Sequence, residues 1–194
     1  MARGFLIFSL GLFISFVSYG QRQAFGLRLG DPIGLTYKRY TQTNKAIEFI
    51  FGTASPNWRH NYYENSFSKY SKYDGYSYRS HKLNNPVYLQ GRYLLHYHIP
   101  TDGMEGKLEW YWGVGAMLKV CKVEYRYADG PPDNGIKHDK RTSIDFGPDG
   151  ILGVEYKFED TPLNVFGEVS MLLELADRPL TPQLFGAVGA RFIF

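Results

Sequence analysis

The chain has 194 residues and a single cysteine, Cys121, so it fits one domain and makes no internal disulfide. A formal net charge of +3 is too weak to point to nucleic acid. With 16 Tyr, 14 Phe, 3 Trp and 21 Gly and few helix-favouring runs, the composition points to an all-β chain.

Met1-Ala2-Arg3 is a short positive start, residues 4–17 are an uncharged apolar run, and Ser18 and Gly20 are small. This pattern predicts a secretory signal peptide over residues 1–20, cleaved before Gln21, and one domain over 21–194. No later run is apolar and long enough for a helical span.

Alternation of period two then marks strands. Residues 23–30 put Phe25, Leu27 and Leu29 on one face and Arg28 on the other, and Asp31-Pro32 turns the chain. Residues 33–40 separate Ile33, Leu35 and Tyr37 from Thr36 and Lys38. After a turn at 41–44, residues 45–53 separate Ile47, Phe49 and Phe51 from Glu48. Residues 54–86 read as the longest irregular segment, polar and carrying Tyr62, Tyr63, Tyr70, Tyr73, Tyr76 and Tyr78, with extension of the flanking strands into a hairpin above the membrane as the alternative.

The fourth strand, 87–98, sets Leu89, Tyr93, Leu95 and Tyr97 against Gln90, Arg92, His96 and His98. The fifth, from 107, sets Trp110, Trp112, Val114, Leu118 and Val120 against Glu109, Tyr111, Gly113, Gly115 and Lys119. Beyond Lys122 it turns polar, and residues 129–141 read as a loop. The sixth strand ends with Leu152, Val154, Tyr156 and Phe158 against Gly153, Glu155 and Lys157, and Val154 is expected near the middle of an apolar belt. The seventh opposes Val165, Val169 and Met171 to Asn164, Glu168, Ser170 and Glu174. The last, 184–194, opposes Val188, Phe192 and Phe194 to Phe185, Ala187 and Arg191.

Eight strands is an even number, and each faces its neighbour antiparallel. A strand ending on an apolar aromatic is well placed if it closes a barrel against the first strand, because closure removes the edge. The expected fold is therefore all-β: a closed eight-stranded antiparallel up-and-down transmembrane barrel with a plugged polar interior. If both ends lie on one side, the connections near Thr41, Pro100 and Asp160 are short and on that side, while the two longest connections lie opposite. On the short side the outward face collects Tyr37, Tyr97, Trp110, Trp112, Tyr156, Phe158, Phe192 and Phe194, an aromatic girdle at a membrane interface. The inward face collects Arg28, Lys38, Arg92, Lys157 and Arg191 against Glu48, Glu109, Glu155, Glu168 and Glu174. An eight-stranded barrel is only wide enough for side chains to fill. Buried charges need partners, so this set predicts an ion-paired lumen rather than a pore.

Three segments carry a resemblance to known proteins. They are Gly34-Leu35-Thr36-Tyr37-Lys38 leading to Ala46-Ile47-Glu48, Trp110-Tyr111-Trp112-Gly113-Val114-Gly115, and residues 150–158 with Pro162-Leu163-Asn164. The chain resembles the small eight-stranded outer-membrane barrels of the OmpA/OmpX-like superfamily, and more narrowly a group of short bacterial barrel proteins. Phe166-Gly167-Glu168-Val169 departs from the Asp-Trp-like run of that group. The resemblance implies a bacterial outer-membrane location, contact with outer-membrane lipid, and recognition of the terminal Phe194 by the barrel-assembly machinery.

No catalytic residue, cofactor or metal is expected. His96 and His98 share a face but lack a third ligand at suitable spacing. Glu109 and Glu155 read as partners of lysines and arginines rather than paired acid and base. Ser170 is the one inward serine a lipid hydrolase could use. The expected role is non-enzymatic, structural or surface-interacting, with a surface ligand met by residues 54–86. The alternatives are a lipid-modifying barrel enzyme and a soluble lipocalin-like barrel with its apolar side turned inward.

Overall fold

A computed structural model describes residues 22–53, 60–101, 103–129, 135–176 and 180–194. The expected signal peptide lies outside these residues. Eight strands close into one antiparallel barrel in chain order. They are β1 (Gln23–Gly30), β2 (Ile33–Gln42), β3 (Lys45–Thr53), β4 (Tyr76–Ile99), β5 (Lys107–Asp129), β6 (Ile136–Lys157), β7 (Leu163–Glu174) and β8 (Thr181–Ile193). Closure is made by β1 on β8, with Phe25 opposite Phe192 and Leu27 opposite Ala190. Gln23 and Phe194 exchange backbone hydrogen bonds of 2.9 and 2.8 Å at the seam, so neither strand is left with an open edge there.

The pleat sends alternate side chains to opposite faces. Outward stand Phe25, Leu27, Leu35, Phe49, Leu89, Val114, Leu152, Val169 and Val188, all exposed, while Arg28, Lys38, Glu48, Arg92, Glu155 and Arg191 are buried. This polarity overturns the soluble lipocalin-like alternative, which requires the apolar face inside. An exposed apolar surface that encircles a closed sheet is suited to hydrocarbon, not water.

β4, β5 and β6 run for 24, 23 and 22 residues, against 8 to 10 for β1 to β3. Their excess length stands beyond the rim as a three-stranded sheet, here called the tower. One sequence expectation is borne out in part by it and another is corrected. Within 54–86, residues from Tyr76 onward are strand, preceded by α1 (His60–Phe67) and a 3-10 turn (Ser71–Tyr73). Within 129–141, β6 begins at Ile136, so the expected loop is mostly strand. The physical reason is twofold. Register shifts between Tyr78 and Ser80 and between Asn84 and Val87 break the period of β4. In β5 the alternation continues past Val120, but its exposed face becomes charged rather than apolar.

Tower and barrel are packed differently. Phe67 of α1 stacks on Tyr73 at 4.4 Å between ring centroids and lies 5.5 Å from both Tyr78 and Tyr125. With Cys121 and Val123 these rings form a small apolar core under the helix. On β6, Val154 pairs with Trp110 of the aromatic girdle, so it lies near the interface rather than at mid-belt.

Candidate functional site

The lumen is built from the inward positions of all eight strands. On β2 the pleat directs Thr36, Lys38 and Tyr40 to the axis, and the register sets Lys38 opposite Glu48 on β3. Glu48 in turn stands opposite Arg92 on β4. β8 contributes Arg191, which bridges Glu48 and, at 3.1 Å, Glu155. Lys38 reaches the same Glu155 oxygen at 2.8 Å, and the Tyr40 hydroxyl donates to the other at 2.5 Å. Thr36 Oγ1 donates to Glu48 at 2.6 Å and accepts from Arg191 Nε at 3.1 Å.

A second group lies further from the short-turn rim. Arg92 donates to Asp149 at 2.9 Å, Glu168 at 2.8 Å and Ser170 at 3.2 Å. Arg28 also donates to Glu168, and the Tyr111 hydroxyl reaches its second oxygen at 2.8 Å. Nearer the tower, Lys119 meets Asp145 at 2.6 Å and Gln183 donates to Glu174 at 2.7 Å. At the short-turn rim, β5 and β6 set Glu109 directly opposite Glu155. Lys157 bridges this like-charged pair at 2.8 and 3.5 Å.

Of the ten lumen residues named from sequence, eight are buried, while Glu109 and Lys157 are half-buried at the rim. Lys119, Asp145, Asp149, Asp31 and Ser143 are buried as well. Alternation around Ile144-Asp145-Phe146 was the available signal for Asp145. Ser170, the serine considered for hydrolysis, is engaged by Arg92 rather than by a histidine.

Rings pack among these charges. The Arg191 guanidinium lies 3.5 Å from the Phe166 ring centroid, and Lys38 lies 4.5 Å from that of Tyr111. Tyr111 needs Gly153 opposite it, because a Cβ there would come within 2.5 Å of the ring. Charges, rings and small residues thus fill the cross-section together.

His98 is exposed, and His96 is buried and stacked on Tyr111 at 5.0 Å. Ligand-type atoms of His96, Glu109 and Glu155 do lie within 4.8 Å of one another. The three are embedded in cations, however: Lys157 holds both carboxylates, and Lys38 and Arg191 hold Glu155. The group behaves as an ion-pair cluster that repels a further cation. It borders a cavity of about 840 Å³ that Tyr40, Asn44, His98 and Lys107 also line.

The girdle residues Tyr97, Trp112, Phe158, Phe192 and Phe194 are exposed, and Tyr37, Trp110 and Tyr156 are half-buried. Tyr97 stacks on Trp110 at 4.7 Å, and Tyr156 meets Phe158 edge-on at 4.9 Å. In the tower, Asp139 accepts from Lys72 at 2.5 Å and from the Tyr73 hydroxyl at 2.6 Å. These bonds hold the Asp139 carboxyl below its ordinary range, while burial and the same contact push Tyr73 up.

No protein-family model matches the sequence, and no curated protein matches it. Solved structures do. The N-terminal β-barrel domain of Pseudomonas aeruginosa OprF superposes with a TM-score of 0.50 at 10% identity, over 90% of this chain and 96% of that one. Ail, the attachment invasion locus protein of Yersinia pestis, gives 0.48 at 11% identity, over 90% and 97%. A major outer membrane protein from Thermus thermophilus gives 0.47 at 12% identity, over 91% and 100%. At 10% identity the likeness to the OprF domain speaks for fold alone, and that fold is an eight-stranded antiparallel β-barrel.

Proposed function

We propose that the chain is a non-enzymatic, non-conducting barrel of a bacterial outer membrane that acts at the cell surface through its tower. One observation carries this reading. Arg28, Lys38, Glu48, Arg92, Glu155 and Arg191 are at most 2% exposed, inside a belt of exposed apolar side chains. A water-filled pore would wet those groups. Here each is neutralised by a neighbour, so the lumen resists ions as well as water. The short turns then face the periplasm, and the tower stands outside, where a rigid scaffold can present it to a partner. Residues 54–86 contribute α1 and much of its aromatic core to that surface. Outer-membrane lipid surrounds the belt, and the last strand with Phe194 serves as the handle for the barrel-assembly machinery.

The test is reconstitution of the purified protein in planar bilayers, together with gel mobility with and without boiling. The expected result is a boiling-dependent shift in SDS and no steady conductance. A resolved, persistent channel would refute the plugged lumen. Mass spectrometry of membrane lipids from cells with and without the protein should show no difference, and a new lipid species would assign an enzyme instead.

A further inference from the structure

The outward face of the tower is strongly one-signed. On β5, with no register break against β6, the outward positions are Trp110, Trp112, Val114, Ala116, Leu118 and Val120, and then Lys122, Glu124 and Arg126. The cross-strand partners on this face are Lys82 opposite Glu124 and Asn84 opposite Lys122 on β4. On β6 they are Thr142 opposite Lys122, Lys140 opposite Glu124 and His138 opposite Arg126. Four fixed cations (Lys82, Lys122, Arg126 and Lys140) thus surround one carboxylate. Glu124 is held by His138 at 3.2 Å and lies 3.9 Å from Lys140. Lys82, Lys122 and Arg126 are exposed and make no ion pair among the described residues.

Two considerations separate this face from an ordinary solvated surface. The first is charge. Its four-to-one excess is +3, whereas the sequence's formal +3 falls to +2 once Arg3 leaves with the expected signal peptide, so the rest of the mature chain carries no net positive charge. The second is height. At about 3.3 Å per residue and a tilt near 40°, each residue rises about 2.5 Å along the barrel axis. Trp110 to Val120 therefore rises about 25 Å, the height of the apolar band of such barrels. Lys122 then stands about 5 Å, and Arg126 about 15 Å, beyond the last apolar side chain, and both point sideways over the membrane rather than up. The opposite face of the same strands is closed by α1 and its aromatic core.

We propose that this face binds the phosphorylated headgroups of lipids in the surrounding outer leaflet. The inference rests on the barrel reading above, because that reading sets which leaflet the patch overlooks. The occupant follows from position and sign: the layer immediately above hydrocarbon is the headgroup layer, and an anionic headgroup complements four cations. The exposed lysines and arginine give charge-assisted hydrogen bonds to phosphate oxygens, and Glu124 orients Lys140 and His138 at the centre.

The experiment uses the full-length mature protein in uncharged detergent micelles. The probe is a fluorescent bisphosphorylated glucosamine-disaccharide lipid, compared with its dephosphorylated form and with soluble tripolyphosphate. One variant combines Lys82→Gln, Lys122→Gln and Arg126→Gln. A control removes three exposed cations at the opposite rim: Arg22→Gln, Arg39→Gln and Lys107→Gln. A third variant keeps the patch charge with Lys82→Arg and Lys122→Arg.

The phosphorylated lipid should bind more tightly than its dephosphorylated form and weaken with salt. At about fivefold per cation, the patch variant should lose about 100-fold, while the control and the arginine variant stay near wild type. Equal losses in patch and control variants would reduce the effect to net charge and overturn the proposal. So would unchanged binding in the patch variant, or tripolyphosphate binding as tightly as the lipid. Gel mobility separates the two readings: a patch that fails in a protein that still shifts on boiling sinks only this site, whereas a wild type that never shifts sinks the barrel.

Discussion

Replacing Val114 with arginine places a guanidinium on the lipid face midway up β5. Val114 is 59% exposed, pairs with Tyr93 and Gly150, and lies four residues beyond Trp110 and six before Val120. At about 2.5 Å of axial rise per residue, it stands about 10 Å above Trp110, the lower of the two girdle tryptophans of β5, and about 15 Å below the outer edge of the belt. A charge at that depth costs about 2–4 kcal/mol, and one near the interface about 0–1 kcal/mol. Val154→Arg, opposite Trp110, belongs to the second class. The two variants should differ by about 2 kcal/mol or more, a factor of roughly 30 in the folded-to-unfolded ratio. Ile151→Arg makes a useful third case, because Ile151 points inward and packs with Ala46, Leu94 and Tyr111. It overfills the lumen and adds an unpartnered charge. The assay is guanidinium unfolding in phosphatidylcholine vesicles, followed by tryptophan fluorescence. Equal losses for Val114→Arg and Val154→Arg, or no loss at Val114, would show that depth in a bilayer is not what β5 records.

Arg191→Met removes the cation shared by Glu48 and Glu155. Breaking a buried pair on one side costs about 3–5 kcal/mol, so the unfolding midpoint in the same vesicles should fall steeply. Phe67→Ala removes the ring under which the tower rings assemble, at a local cost of about 3–5 kcal/mol. Limited proteolysis should then cut the tower while the boiling-dependent gel shift persists. The pH response of the tower follows from Asp139, whose folded value is depressed chiefly by hydrogen bonds from Lys72 and Tyr73. A depressed carboxyl stabilises fully above its unfolded value, near 3.9, and that contribution is lost as pH falls through the lower folded value. Near-ultraviolet tyrosine dichroism of the tower should therefore weaken below about pH 4, and Asp139→Asn should lose the tower's acid sensitivity.

The parts of the fold that were legible in sequence are those where lipid outside and charge inside sharpen the period. β1, β2, β3, β7 and β8 carry Arg28, Lys38, Glu48, Glu168 and Arg191 singly among apolar outward neighbours, and their register follows from that alone. Where the outward residues are small, the contrast fades. Gly147, Pro148 and Gly150 surround Asp149, and its inward position could not be separated from a turn. The pairing of Arg92 with Asp149 and Glu168 depends on how strands far apart in sequence meet across the lumen, and no local pattern holds that information. The tower was hidden for a different reason: each of two register shifts in β4 flips the parity of its inward set, from even at Tyr78 to odd at Leu83 and back to even at Tyr88, so no single period spans the strand.

β5 shows why one strand can serve two solvents. From Trp112 to Val120 its even positions are apolar and exposed, while Glu109, Tyr111 and Lys119 at odd positions face the lumen. From Cys121 onward the odd positions, Cys121, Val123 and Tyr125, are apolar and buried, and the even positions Lys122 and Arg126 are charged and exposed. The pleat never changes phase, as the unbroken register with β6 requires. What reverses is which face must be greasy. Beside hydrocarbon the outside must lack polar groups and the inside must pair them; in water the outside carries charge and the inside is apolar. The reversal between Val120 and Lys122 therefore marks the edge of the membrane within the sequence itself, and it does so independently of the aromatic girdle at the opposite rim. The distance between the two marks, about 25 Å along the axis, is the thickness a bilayer demands, although neither mark depends on the other.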